Sequence, residues 1–124
     1  MRKITKAAVW AAALVAAGIV PALAAPLTID LEGDAQRTTV DYACKSGPDA
    51  APTPLGVEYI NLPHNNLAVL PIDGHPTVFV DTVAAAGAKY AAGRWIWWTR
   101  GRRGTLRDVI QNDPKKDVIC ELKR

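Results

Sequence analysis

Between Thr38 and Leu122 the chain never runs far before a turn residue cuts it, and this punctuation limits the fold more than any other feature. Thr38 to Cys44 alternates, with Val40, Tyr42 and Cys44 on one face, and Lys45-Ser46-Gly47-Pro48 ends it. Pro48 to Pro54 is rich in Pro and Ala and reads as a loop. Strand-like runs then cover Val57 to Leu62, Leu67 to Ile72, Thr77 to Val83, Lys89 to Ala92, Arg94 to Thr99, Leu106 to Ile110 and Val118 to Leu122. Asp73-Gly74 is a hairpin signal. Pro71 has no N–H to donate and favours an edge or a bulge. Gly101 to Gly104 and Asn112-Asp113-Pro114 read as further turns. Short strands at this spacing predict an all-β sandwich or barrel. Ala84 to Ala92 is Ala-rich, but Gly87 interrupts it and it is too short for an independent helix. Closure into a barrel would remove the edge strands that invite aggregation.

The first residues have a different character. Arg2, Lys3 and Lys6 form a positive region, Ala7 to Val20 is uncharged and apolar, and Pro21 precedes Ala22-Leu23-Ala24. This is the pattern of a cleavable export signal over residues 1–24. Its apolar run is shorter than the roughly 20 residues needed to span a bilayer, so no stable membrane anchor is expected. The folded domain is expected over residues 25–124. Arg2, Lys3 and Lys6 account for the whole formal charge of +3, which removes the basic balance as an argument for nucleic acid. An asymmetry remains. Residues 25–84 carry eight acids and two bases, and residues 85–124 carry ten bases and four acids.

Cys44 and Cys120 are the two cysteines of the chain. Export and an even count argue for one disulfide rather than two free thiols. It would tie the start of the domain to its end, at a gain of about 4–5 kcal/mol in a chain-entropy account. Neither His64 nor His75 stands at ligand spacing from a cysteine, so no metal is expected. Ser46 is the lone serine, and no nucleophile elbow, zinc-protease motif or phosphate loop is present. The chain reads as a binding protein, with no catalytic residues and no cofactor.

The stretch from Ala84 to Gly104 is cationic and aromatic. On an extended Arg94–Arg100, Trp95, Trp97 and Thr99 share one face, and Ile96, Trp98 and Arg100 share the other. At least two of the tryptophans are expected in the core or closing a barrel; a cavity lined by Trp95, Trp97 and Trp98 is the other option. Arg94, Arg100, Arg102, Arg103 and Arg107 have no acid among them, and a guanidinium fork suits carboxylates or phosphates.

With these residues in order, the chain resembles the periplasmic or membrane-bound inhibitors of c-type lysozyme. The matching pieces are Tyr42, Cys44 and Gly47 of an aromatic-x-Cys-x-x-Gly strand, and Val57 and Tyr59 of a Val-x-Tyr strand. Ala84 to Tyr90 corresponds to the loop S-A-S-G-A-R-Y, Trp98-Thr99-Arg100-Gly101 to a W-x-K-G turn, and Cys120 to the second cysteine. The resemblance implies an eight-stranded antiparallel β-barrel with one disulfide, Cys44–Cys120. The absence of a lipid-attachment cysteine resembles the soluble periplasmic branch.

It also implies a c-type lysozyme as partner and Ala86, Gly87, Ala88, Lys89, Arg100, Gly101 and Arg102 as the binding residues. In the family a Ser of the loop and the Lys of the turn meet the enzyme's two catalytic carboxylates. Arg100 keeps the charge of that Lys. Ala86 stands at the Ser position and has no hydroxyl, which removes a hydrogen bond of about 1.5–3 kcal/mol. Arg102 and Arg103 are expected to offset this. Gly87 permits φ > 0, Lys89 replaces an Arg, and Tyr90 packs. The competing expectation is a periplasmic barrel that binds an anionic envelope ligand, or another glycosidase, through Arg94 to Arg107.

Overall fold

The computed structural model describes Gly18 and residues 25–124. The expected export signal, residues 1–24, lies outside the described residues but for Gly18. The strands are β1 (Gln36–Lys45), β2 (Thr53–Asn61), β3 (Asn66–Ile72), β4 (His75–Thr82), β5 (Ala88–Ala92), β6 (Trp95–Arg100), β7 (Arg103–Asp108) and β8 (Val118–Leu122). They follow one another round a closed antiparallel barrel in chain order, and β1 returns to pair with β8. A single turn of 3-10 helix, Pro114–Lys116, precedes β8. The barrel, rather than the sandwich, is the outcome of the sequence pattern.

Alternation along each strand builds the core. Tyr42, Val57, Ala68, Leu70, Phe79, Tyr90 and Trp97 are buried, together with both cysteines. Complete burial of Trp97, Phe79, Leu70 and Val57 contributes roughly 1.5–3 kcal/mol for each side chain. Trp95 faces the core beside Trp97, whereas Trp98 lies on the outer wall. The three tryptophans therefore line no common cavity. The polar atoms of the core are paired. The Trp97 indole N–H donates to the Tyr59 hydroxyl at 2.9 Å, and the Tyr42 and Tyr59 hydroxyls share a bond of 2.9 Å. Burial and the Tyr42 bond push the Tyr59 phenol above its ordinary pKa.

The β1–β8 seam is short. It runs over Tyr42–Lys45 against Ile119–Leu122, and Cys44 stands opposite Cys120 with their Cα atoms 4.0 Å apart. The disulfide joins them at 2.01 Å. It clamps the first strand to the last, where few backbone hydrogen bonds do so.

Several strand bounds depart from the sequence reading. β2 starts at Thr53, inside the expected Pro/Ala loop, because Thr53–Val57 pairs with β1 alone; β3 joins only from Glu58. Pro54 therefore has an unpaired side to face. β7 starts at Arg103 and ends at Asp108, so the turn before it is Gly101-Arg102 only, and Val109 and Ile110 lie outside the strand. Val83, expected in a strand, falls beyond β4. Pro71 meets Pro76 across the β3–β4 hairpin, past the last β2–β3 pair and before the first β4–β5 pair. The hairpin tip has no neighbour on either side, so the expected edge exists locally in a closed barrel, and prolines blunt it.

Candidate functional site

The connection from β4 to β5 passes through Val83–Gly87, and β5 then pairs with β6 from Ala88 opposite Thr99. This register seats the loop on the end of β6. Gly87 has φ of +67°, and a β-carbon built there would fall 2.0 Å from the Thr99 carbonyl oxygen and 2.9 Å from Arg100 Cγ. Any side chain there would be strained by the left-handed backbone and would force the Thr99 carbonyl to move. The Trp98 indole N–H donates to the Ala86 carbonyl at 2.8 Å and fixes the bend from the other side. Ala86 and Gly87 remain exposed.

Arg100 ends β6 at the two-residue turn Gly101-Arg102, where Gly101 takes φ of +57°. The Arg100 side chain is exposed, and its Cζ lies 5.2 Å from the centre of the Trp98 ring. Lys89 Nζ lies 4.2 Å from the same ring. Among the described residues neither cation has a carboxylate partner. The other arginines are different. Arg94 forms a fork on Asp108, Arg103 meets Glu121 at 3.2 Å, and Arg107 grips the buried Asp117 carboxylate at 2.6 Å. The Arg94 bond holds the Asp108 carboxyl below its ordinary pKa.

The sequence-predicted residues therefore separate. Ala86, Gly87, Lys89 and Arg100 gather round Trp98, and Gly101 turns beside them. Ala88 points its methyl group toward the barrel interior. Arg102 bends toward the last strand, where its Nη2 donates to the Leu122 carbonyl at 3.1 Å. Arg94, Arg103 and Arg107 are paired with acids within the fold, which counts against the competing expectation of an anionic ligand held through Arg94 to Arg107. A groove of about 420 Å³ opens beside Arg100 along the outer wall, with Ile96 and Ile119 in its lining. Among the described residues no group of His, Cys, Asp and Glu is placed to hold a metal ion. The sequence puts Trp98 on the strand face shared with Ile96 and Arg100 and in the turn motif, but Trp98 is not among the expected binding residues; its place beside Arg100 on that face is the available sign that it serves the surface.

Comparison with known proteins bears on this arrangement. A family model described as membrane-bound lysozyme-inhibitor of c-type lysozyme matches residues 42–115. A Cupriavidus necator protein named membrane-bound lysozyme inhibitor of C-type lysozyme is 44% identical over 86 residues, covering 68% of this chain and 65% of its own length. A Pseudomonas aeruginosa protein of the same name is 42% identical over 95 residues, covering 73% of this chain and 71% of its own. The match thus spans just under two thirds of the first relative. Among solved structures, Pseudomonas aeruginosa MliC in complex with hen egg white lysozyme aligns with a TM-score of 0.61 and 37% identity, covering 81% of this chain and 98% of that one. The relatives' names agree with a location at the cell envelope.

Proposed function

Because the chain belongs to the family of membrane-bound lysozyme inhibitors of c-type lysozyme, we propose that it inhibits such an enzyme by inserting the Ala86–Gly87 bend and Arg100 into the active-site cleft. The observation that carries this reading is the contrast among the cations. Lys89 and Arg100 flank one indole beside an exposed bend, and among the described residues no carboxylate cancels their charge. Glycoside hydrolases of the target class carry a carboxylate pair. A guanidinium delivered there blocks substrate and neutralises that pair.

Ala86 brings no hydroxyl, and its carbonyl already accepts from Trp98. Affinity in this reading therefore rests on Arg100, on Lys89 and on the shape of the bend. The protein acts by binding and performs no reaction of its own. Residues 1–24 serve as its export signal, and residues 25–124 work as a soluble periplasmic domain. The competing reading, an anionic envelope ligand held by Arg94 to Arg107, loses its basis with three of those arginines paired.

The test is lysis of a bacterial suspension by c-type lysozyme in the presence of purified residues 25–124, with g-type and i-type enzymes in parallel. Inhibition of the c-type enzyme is expected, and Arg100→Glu is expected to abolish it. No inhibition at micromolar protein would overturn the function. Full inhibition by the Arg100→Glu protein would overturn the site.

A further inference from the structure

Trp98 touches every part of the proposed plug. Its N–H holds the Ala86 carbonyl at 2.8 Å, and its ring carries Lys89 Nζ at 4.2 Å and Arg100 Cζ at 5.2 Å. The bend, β5 and the end of β6 reach it from different places in the chain. An ordinary way to fix a surface arginine is a carboxylate, as Asp108 does for Arg94 and Glu121 for Arg103. A carboxylate also cancels the charge. The quadrupole of an indole attracts a cation without neutralising it.

We infer that Trp98 is a positioning residue for inhibition. It fixes the Ala86–Gly87 bend through its N–H and holds Lys89 and Arg100 beside that bend through its ring, with both charges still available to an acidic target. This rests on the inhibitor reading of the same site. Binding then needs less ordering of two long side chains and a loop, and preorganisation of this kind appears directly as affinity.

Two substitutions separate the parts. Trp98→Phe keeps an aromatic face and removes the N–H; its inhibition constant is expected to rise about 3- to 10-fold, the span of one net hydrogen bond. Placing mono- to tetrafluorotryptophan at position 98 keeps shape and N–H while draining the ring of negative charge. Inhibition is expected to weaken with each added fluorine, by about 2- to 10-fold over the series, at constant thermal midpoint. A merely structural role for the ring would show no such gradient. In the free protein, amide exchange at Ala85–Lys89 is expected to quicken in Trp98→Phe.

Equal inhibition across the fluorinated series and in Trp98→Phe would overturn the inference. So would unchanged amide exchange. If the natural chain fails to inhibit c-type lysozyme, the inhibitor reading falls, and the exchange comparison alone then decides whether Trp98 fixes the bend.

Discussion

Gly104 lies against the indole of Trp97 so closely that a β-carbon at Gly104 would fall 2.3 Å from ring atom Cη2. The largest side chain of the core is accommodated because the adjacent strand β7 has no side chain at that point. Trp97 is fully enclosed and cannot retreat. Gly104→Ala is expected to destabilise the barrel by about 1–3 kcal/mol through overpacking. A lower urea midpoint at unchanged slope would show it; an unchanged midpoint would mean that the core yields.

Gly87→Ala is expected to damage binding well beyond any general backbone effect. Its new methyl group would meet the Thr99 carbonyl, whereas Gly74, also at positive φ, has nothing within 4 Å of the corresponding position. Both substitutions place an alanine in the left-handed region, at about 1–2 kcal/mol. Gly87→Ala is further expected to weaken inhibition by more than about tenfold, which corresponds to 1.4 kcal/mol of lost complementarity. Gly74→Ala should leave inhibition intact. Titration of both variants against c-type lysozyme, beside their thermal midpoints, makes the comparison.

Arg107 and Arg103 share one face of β7, with Thr105 between them, and have unequal importance for stability. Asp117 is 7% exposed, so Arg107→Leu would strand a carboxylate in the wall. The loss is expected at about 2–4 kcal/mol, below the fully buried case because the arginine itself is partly hydrated. Arg103 and Glu121 are both well exposed, and Arg103→Leu should cost less than about 1 kcal/mol. Adding Asp117→Leu to Arg107→Leu should restore much of the loss, which urea unfolding of the two proteins can read.

High pH should weaken the fold. Burial pushes the phenols of Tyr59 and Tyr90 upward, and the bond from Tyr42 adds to the effect at Tyr59. The unfolded chain releases these protons near pH of about 10, the folded chain only above it. Their contribution is therefore complete below that value and is lost as pH rises through the folded pKa values. Unfolding free energy measured from pH 8 to 11, with tyrosinate absorbance followed in parallel, should be flat and then fall. Tyr59→Phe should flatten the alkaline limb.

Much of the barrel could be read along the sequence because each strand announces itself locally. The Val40, Tyr42, Cys44 alternation, the Asp73-Gly74 hairpin and the inward Trp95 and Trp97 depend on nearest neighbours only. Cross-strand facts escaped. Arg103 meets Glu121 because β7 pairs with β8, and Gly87 lies on Thr99 because Ala88 is in register with it. A row of arginines without acids looked like a cationic face. The register, which the row itself does not encode, supplied the acids from β7, β8 and the loop before β8. The start of β2 was hidden for a related reason, since Pro54 argues against a strand until its other side is known to be unpaired.

The pairing of the first strand with the last sets the order of assembly. A chain that emerges N-terminus first holds β1 with one flank waiting until β8 arrives, and contacts between such distant residues are slow to form. During that interval Cys44 is a lone thiol. An oxidant that acts too early can mispair it with another molecule, so faithful maturation depends on oxidation following, rather than preceding, the meeting of the two ends.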